Sequence, residues 1–297
     1  MLEQRNLARV DSYLRTGRTL FRTMHKAELY SSSHGLQKRD AAHALTEYLD
    51  HMTWRPGDRV LDVGCGPGFV TAQELMPRLP QDFAILVGTD VSHAMVQHAT
   101  STYVQPKLKF AHLDISSTHI DKELWEPGFD KIFSFYCLHW IPDQRTAVNN
   151  IYHLLRPAGE ALVLLMAKCP VFNVYTAQSN KPKWQQYMKD ASRYISPYHQ
   201  LKDPKSEFIN IVEDVGFHVV DCDCRQNKFN YGTLERLKDA IKAVNPFMDR
   251  IPEELQEEYL NDCLSEARRI KCTESNNNVE EVTTVSYDII VAHIKKP

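Results

Sequence analysis

The segment Val60-Leu-Asp-Val-Gly-Cys-Gly-Pro-Gly-Phe69 constrains the fold more than any other part of the chain. Three apolar residues around one acid, Asp62, read as a strand buried on both faces, as parallel strands are. The run Gly64-Cys65-Gly66-Pro67-Gly68 then forms a tight turn. Its glycines tolerate positive φ and let a ligand approach the backbone. A helix is expected from about Phe69, with free N–H groups in its first turn. The next apolar run, Ile85-Leu-Val-Gly-Thr-Asp90, ends in a carboxylate suited to both hydroxyls of a ribose, with Val91 following.

Strands and helices alternate from there. Strands are expected at 59–63, 85–89, 108–113, 131–136 and 161–166, with helices near 69–77, 93–101 and 143–155. Such alternation means a parallel sheet covered on both faces, with ligands at the carboxyl ends of the strands. An amphipathic helix precedes it, with Ala41, Ala44, Leu45, Tyr48, Leu49 and Met52 on one face and Ser31, Ser32 or Ser33 as its cap. The pattern changes after residue 167. Segment 168–200 carries Phe172, Tyr175, Trp184, Tyr187, Tyr194 and Tyr198; segment 228–270 is helical in composition and carries Phe229, Tyr231, Phe247 and Tyr259. Strands are expected at 217–224 and 282–294, and a solvated turn at Glu274–Glu281. Residues 1–30 read as a loosely ordered leader; Glu3 and Asp11 count against a mitochondrial presequence.

A net charge of −3 with no basic block excludes a nucleic-acid partner. No apolar run is long enough to cross a membrane, so no membrane insertion is expected. The seven cysteines are scattered, and the closest pair, Cys222 and Cys224, shares one strand face, which suits neither a zinc knuckle nor a redox C-x-x-C. Buried thiols in a reducing cytoplasm are expected, with no metal.

The glycine loop is a poor dinucleotide fingerprint, because Phe69 stands where the third glycine belongs. Gly-x-Gly-x-Gly after a strand acid resembles the S-adenosylmethionine loop of class I methyltransferases, where the acid, here Asp62, helps orient the methionine end of the cofactor. Asp114 ends the third strand. It is read either as a helix N-cap or as an acceptor for an adenine amino group, with the Ile115 N–H as the matching donor. The cofactor set expected from this pattern is Asp62, Gly64, Cys65, Gly66, Gly68, Asp90, Val91, Asp114, Ile115 and Ser134. The fourth strand ends in Ser134-Phe-Tyr-Cys-Leu-His-Trp-Ile-Pro-Asp143. The resemblance to class I methyltransferases, where this position faces the transferring methyl, implies that His139 and Trp140 are acceptor-side candidates.

Further segments sharpen the resemblance: Leu29-Tyr, Leu36-Gln-Lys-Arg-Asp40, Phe133 to Ile141, Tyr194-Ile-Ser-Pro-Tyr-His199 and Asn245-Pro-Phe247. Together they resemble insect juvenile hormone acid methyltransferases from about residue 28 to the C-terminus. The resemblance implies a weakly ordered leader at 1–27 and a class I methyltransferase domain at 28–297. Its cap inserts would lie at about 168–215 and 228–270. It implies a Rossmann-like α/β fold with a mixed, mostly parallel seven-stranded sheet and a helical cap. It also implies methyl transfer from S-adenosylmethionine to the carboxylate of a sesquiterpenoid acid, farnesoic acid or juvenile hormone acid, in a monomer or homodimer. The family's important Gln and Trp match Gln37 and Trp140. His139 would steer the carboxylate or hold Trp140. Other readings stay open: a paralogue acting on another carboxylic acid, a dinucleotide oxidoreductase, or a non-catalytic relative that binds cofactor or terpenoid.

Overall fold

Strand β1 (Arg59–Val63) pairs in parallel with β2 (Ile85–Asp90) on one side and β4 (Phe129–Phe135) on the other. The computed structural model describes residues 34–270 and 283–297. The leader, the serines expected to cap the first helix and the 274–281 turn lie outside the described residues. Adding β3 (Leu108–His112), β5 (Leu155–Lys168), β6 (His218–Gly232) and β7 (Thr283–Lys295) gives a seven-stranded sheet, ordered β3-β2-β1-β4-β5-β7-β6. Only β7 runs antiparallel to its neighbours. The strand order reverses between β1 and β4, which opens the crevice where ligands bind such sheets.

Alternate strand residues feed opposite cores. Val60, Phe133, Leu162 and Leu164 pack on one face; Leu61, Val63, Ile132 and Val163 pack on the other. The first face receives α1 (Gly35–Tyr48) and the cap helices α4 (Pro170–Ser179), α6 (Leu234–Val244) and α7 (Glu253–Arg269). The second face receives α3 (Gln144–Leu154) and α5 (Pro204–Val215). Local chemistry sets these ends. Asp143, Asp203 and Thr233 cap α3, α5 and α6 through their side chains, as Ser92 caps α2 (His93–Thr102). No described helix is long and apolar enough to cross a membrane. The six described cysteines are free thiols.

Three expectations are corrected. First, β6 continues to Gly232, so the first five residues of the second insert, 228–232, belong to a strand and its helices begin at Leu234. Second, the helix after the glycine loop is a π-type turn at Val70–Leu75 followed by a 3₁₀ turn at Met76–Arg78. Pro77 has no N–H to continue an α-helical ladder, and π-type turns collect at functional sites. Third, α1 starts at Gly35 from His34, with no side-chain cap.

Beneath the sheet, at the end away from the crevice, Lys131 Nζ lies 3.3 Å from both Asp58 Oδ2 and Glu160 Oε2, all three buried. Burial alone raises the pKa of Glu160. The His293 ring 3.7 Å away, a hydrogen bond from the Thr53 N–H and the charge of Lys131 outweigh burial and hold it at about 2. A depressed carboxylate stabilises the fold above its unfolded pKa of about 4.5 and stops doing so as pH falls through about 2. Thermal midpoints of the wild type should therefore fall steeply over that interval. Glu160→Gln should melt lower at neutral pH and show a flatter acid limb. An unchanged slope would remove Glu160 from the acid response.

Candidate active site

Two cavities meet at the carboxyl ends of the central strands. The first is a cleft of about 1000 Å³ over the glycine loop. Asp62, Gly64, Cys65 and Gly66 form its floor, Asp90 and Val91 its middle, and Asp114 and Ile115 its far end. These side chains come from the ends of β1, β2 and β3, brought side by side by the parallel register Asp62↔Gly88 and Asp90↔His112. Gly64 has a φ of +79°, and a Cβ there would lie 2.3 Å from the Cys137 Cβ. Only glycine allows both that backbone and that approach.

The Asp90 carboxylate holds the loop: Oδ2 accepts from the Gly66 N–H (2.9 Å) and Oδ1 from the Ser92 N–H (2.8 Å). Asp62 accepts from the Thr71 hydroxyl at 2.6 Å, tying β1 to the π-type turn. Burial pushes the Asp62 pKa up to about 7 and that of Asp90 upward, with hydrogen bonds opposing in both. Asp114 Oδ1 accepts from the Ser116 N–H and hydroxyl, so it makes the local turn and still lines the cleft. No helix starts at Asp114, so the N-cap reading is not met; the carboxylate caps a turn instead. Three carboxylates and no lysine or arginine among the described lining residues suit a cationic ligand bearing hydroxyls and an amino group.

The second cavity, about 940 Å³, lies under the cap. Its walls are aliphatic: Met166, Val171 and Val174 on one side, Leu237, Ile241 and Val285 on the other. Gln37, Tyr136 and Trp140 line both cavities and so form their common wall. Gln37 Oε1 is buried and has no hydrogen-bond partner. An amide's two ends exchange by rotation, so this position can present either an acceptor or a donor to a ligand. Trp140 sits half-buried on a 3₁₀ turn, Leu138–Trp140, with its ring edge-on to Phe172 at 6.3 Å.

A methyltransferase-domain family model matches residues 61–161. The chain is 38% identical over 277 residues to the juvenile hormone acid O-methyltransferase of Bombyx mori, covering 92% of this chain and 98% of that one. It is 36% identical to the Drosophila melanogaster enzyme of the same name, covering 92% and 93%. The chain belongs to the juvenile hormone acid O-methyltransferase family. Among solved structures, a phosphoethanolamine N-methyltransferase of Haemonchus contortus, in complex with S-adenosylhomocysteine, shares the fold at a TM-score of 0.54. It is 18% identical, over 97% of this chain and 60% of that one. The fold is that of class I methyltransferases, and S-adenosylmethionine is the methyl donor the cleft fits.

In this methyltransferase two expected cofactor residues do not reach the cleft. Ser134 is fully buried and donates to the Val63 carbonyl oxygen at 3.0 Å, pinning β4 to β1. Gly68 packs outward: a Cβ there would meet Ala99 at 2.8 Å and Phe110 at 2.9 Å, so α2 and β3 require the glycine. His139 lines the apolar cavity and not the cofactor cleft. Its Nδ1 accepts the Met166 N–H at 3.4 Å, and its ring lies 4.8 Å from Trp140. Burial lowers its pKa to about 3, so it stays neutral. That placement supports a role in holding Trp140.

Of the aromatics expected around a ligand, Phe172 and Tyr231 line the apolar cavity. Tyr175, Trp184, Tyr194, Phe247 and Tyr259 build the cap, whereas Tyr198 packs on the opposite face of the sheet. Tyr175 and Tyr194 each pack edge-on against Phe247 at 5.3 Å, and Trp184 packs likewise against Tyr259. Several residues escaped the sequence reading. Thr71 had no signal beyond its place after the loop. Gln144 donates to the Leu138 and Ile141 carbonyl oxygens at 2.7 and 2.6 Å and accepts from the Tyr198 hydroxyl at 3.0 Å. It thereby braces the turn that carries Trp140, which also explains the Tyr198 segment. His34 also lines the cleft, with its ring 4.6 Å from Phe69.

Proposed function

We propose that the chain transfers the methyl group of S-adenosylmethionine to the carboxylate of a farnesoid acid, farnesoic acid or juvenile hormone acid, and releases the methyl ester. The observation that carries this reading is the shared wall: Gln37 and Trp140 stand where a cofactor cleft meets an apolar cavity. A terpenoid chain suits the aliphatic cavity, and its acid end then meets two neutral donors. We read the protein as cytoplasmic, acting as a monomer or homodimer.

The residues account for the chemistry. A carboxylic acid with a pKa of roughly 4–5 is ionised at neutral pH, so no general base is needed. Bound S-adenosylmethionine supplies an electrophilic methyl on a sulfonium. Asp90 and Asp114 would hold its ribose and adenine ends, and Asp62 with the glycine loop its amino-acid end. The chain's remaining task is to aim one carboxylate oxygen along the line of attack. The Gln37 amide and the Trp140 indole N–H donate to that carboxylate without fixing its charge as a lysine would. The apolar cavity excludes water from a reaction in which two charges cancel.

The pH response follows from the buried groups. Neutral His139 and a pre-ionised acid leave kcat flat above about pH 6. Donor binding behaves differently. A cationic ligand prefers ionised Asp62, so binding lowers that pKa and releases a proton near pH 7. Affinity for S-adenosylmethionine should weaken as pH falls below about 7. Calorimetry in buffers of different ionisation enthalpy measures the released proton; a pH-independent affinity would contradict the Asp62 placement.

Methyl transfer measured on farnesoic acid, juvenile hormone acid and saturated fatty acids of similar length tests the function. Conversion of the farnesoid acids well above the saturated ones supports it. Absence of any carboxyl methylation overturns it.

A further inference from the structure

Asp40 is an acid on the buried face of α1, only 1% exposed, and it lines neither cavity. Its Oδ2 accepts from the Tyr136 hydroxyl at 2.6 Å and the Tyr287 hydroxyl at 2.5 Å. Its Oδ1 accepts from Arg39 Nε at 3.0 Å and Nη2 at 2.8 Å. Arg39 Nη2 also donates to the Tyr287 oxygen at 2.7 Å, and the guanidinium lies over the Phe229 ring at 4.9 Å. Every partner of this carboxylate is a donor, and its charge is matched by Arg39.

The two donors of the proposed clamp sit on separate elements. Gln37 is on α1, one turn before Asp40 on the same helix. Trp140 lies four residues after Tyr136, which follows β4 in a left-handed conformation with a φ of +57°. Such a backbone in a bulky residue persists only when its surroundings hold it. The Asp40–Tyr136 hydrogen bond is buried and directly joins the helix carrying Gln37 to the strand end leading to Trp140. It also commits the Tyr136 proton to Asp40, so that hydroxyl does not compete with Gln37 and Trp140 for the acid.

We propose that Asp40 is a positioning residue which, through Tyr136, sets the spacing between Gln37 and Trp140. The proposal rests on the acid-clamp reading above. Misplacing either donor misaims the reacting oxygen and leaves the apolar cavity intact, so turnover falls while acid affinity is kept.

The test compares Asp40→Asn, Tyr136→Phe and Tyr287→Phe in the full chain. Asp40→Asn and Tyr136→Phe should each lower kcat by about 10-fold, with the KM for the acid within about 3-fold and the affinity for S-adenosylhomocysteine within about 2-fold. Their double variant should be no slower than the slower single, because both break one link. Tyr287→Phe removes a hydroxyl from the same carboxylate on the β7 side. It should lower the thermal midpoint and leave kcat within about 2-fold. Wild-type kcat in both Asp40→Asn and Tyr136→Phe overturns the proposal, as does a kcat that follows the thermal midpoint across all three variants. If Asp40→Asn does not fold, Tyr136→Phe decides alone on the same kinetic criterion. Wild-type protein that methylates no acid would remove the clamp reading itself, an outcome distinct from active wild type with indifferent variants.

Discussion

Trp140→Phe should slow methyl transfer by about 10²-fold, the scale of losing one preorganised donor at a reacting oxygen. The substitution keeps most of the ring, so the contacts with His139 and Phe172 survive and only the indole N–H is lost. Gln37→Ala should cost a similar factor. The amide is half-buried at the junction of the two cavities, and its unpaired Oε1 position shows that nothing else in the described structure uses that end. Both donors act on one carboxylate, so the double variant should lose less than the product of the two factors. Affinity for S-adenosylhomocysteine should change little, since neither side chain carries the ribose or adenine contacts. Steady-state kinetics with farnesoic acid provides the measurement. Full turnover by Trp140→Phe would reduce the tryptophan to packing and remove the clamp.

Asp90→Ala should weaken S-adenosylhomocysteine binding by roughly 3–5 kcal/mol, the worth of two hydrogen bonds to a charged acceptor. The fold adds a reason beyond the ribose. The same carboxylate accepts from the Gly66 and Ser92 N–H groups, so its loss also releases the glycine loop from the end of β2. Asp90→Asn keeps one acceptor for those N–H groups and should lose less. Calorimetric titration reads both, and an affinity equal to wild type in Asp90→Ala would sink the assignment. Acid binding should survive, because the apolar cavity is built from the cap helices and Asp90 does not line it.

Much of this was legible in the sequence because it is written in short-range chemistry. A strand, a glycine loop and an acid at the next strand end must fold locally into a ligand-binding crevice, and the parallel register then sets Asp62, Asp90 and Asp114 side by side. Gln37 and Trp140 came from the family resemblance, since nothing in their spacing joins residues a hundred positions apart. Asp40 did carry a signal: it stands four residues from both Leu36 and Ala44, an acid inside an apolar stripe. Its partners Tyr136 and Tyr287 are set by the docking of α1 across β4 and β7, which no local pattern encodes.

Other features were decided only by tertiary packing. Ser134 and Gly68 have the residue types of a cofactor loop, yet one points at a neighbouring strand and the other at a neighbouring helix. The cap aromatics look alike in sequence. Only the arrangement of α4, α6 and α7 separates Phe172 and Tyr231, which face the cavity, from Trp184, Tyr175 and Phe247, which fill the core. Local chemistry was enough to place the strands, the glycine turn and the acids Asp62, Asp90 and Asp114 at strand ends, because backbone conformation and burial period are local properties. The meeting of the two cavities at Gln37, Tyr136 and Trp140 was decided by tertiary structure alone, because a shared wall exists only once distant elements have packed.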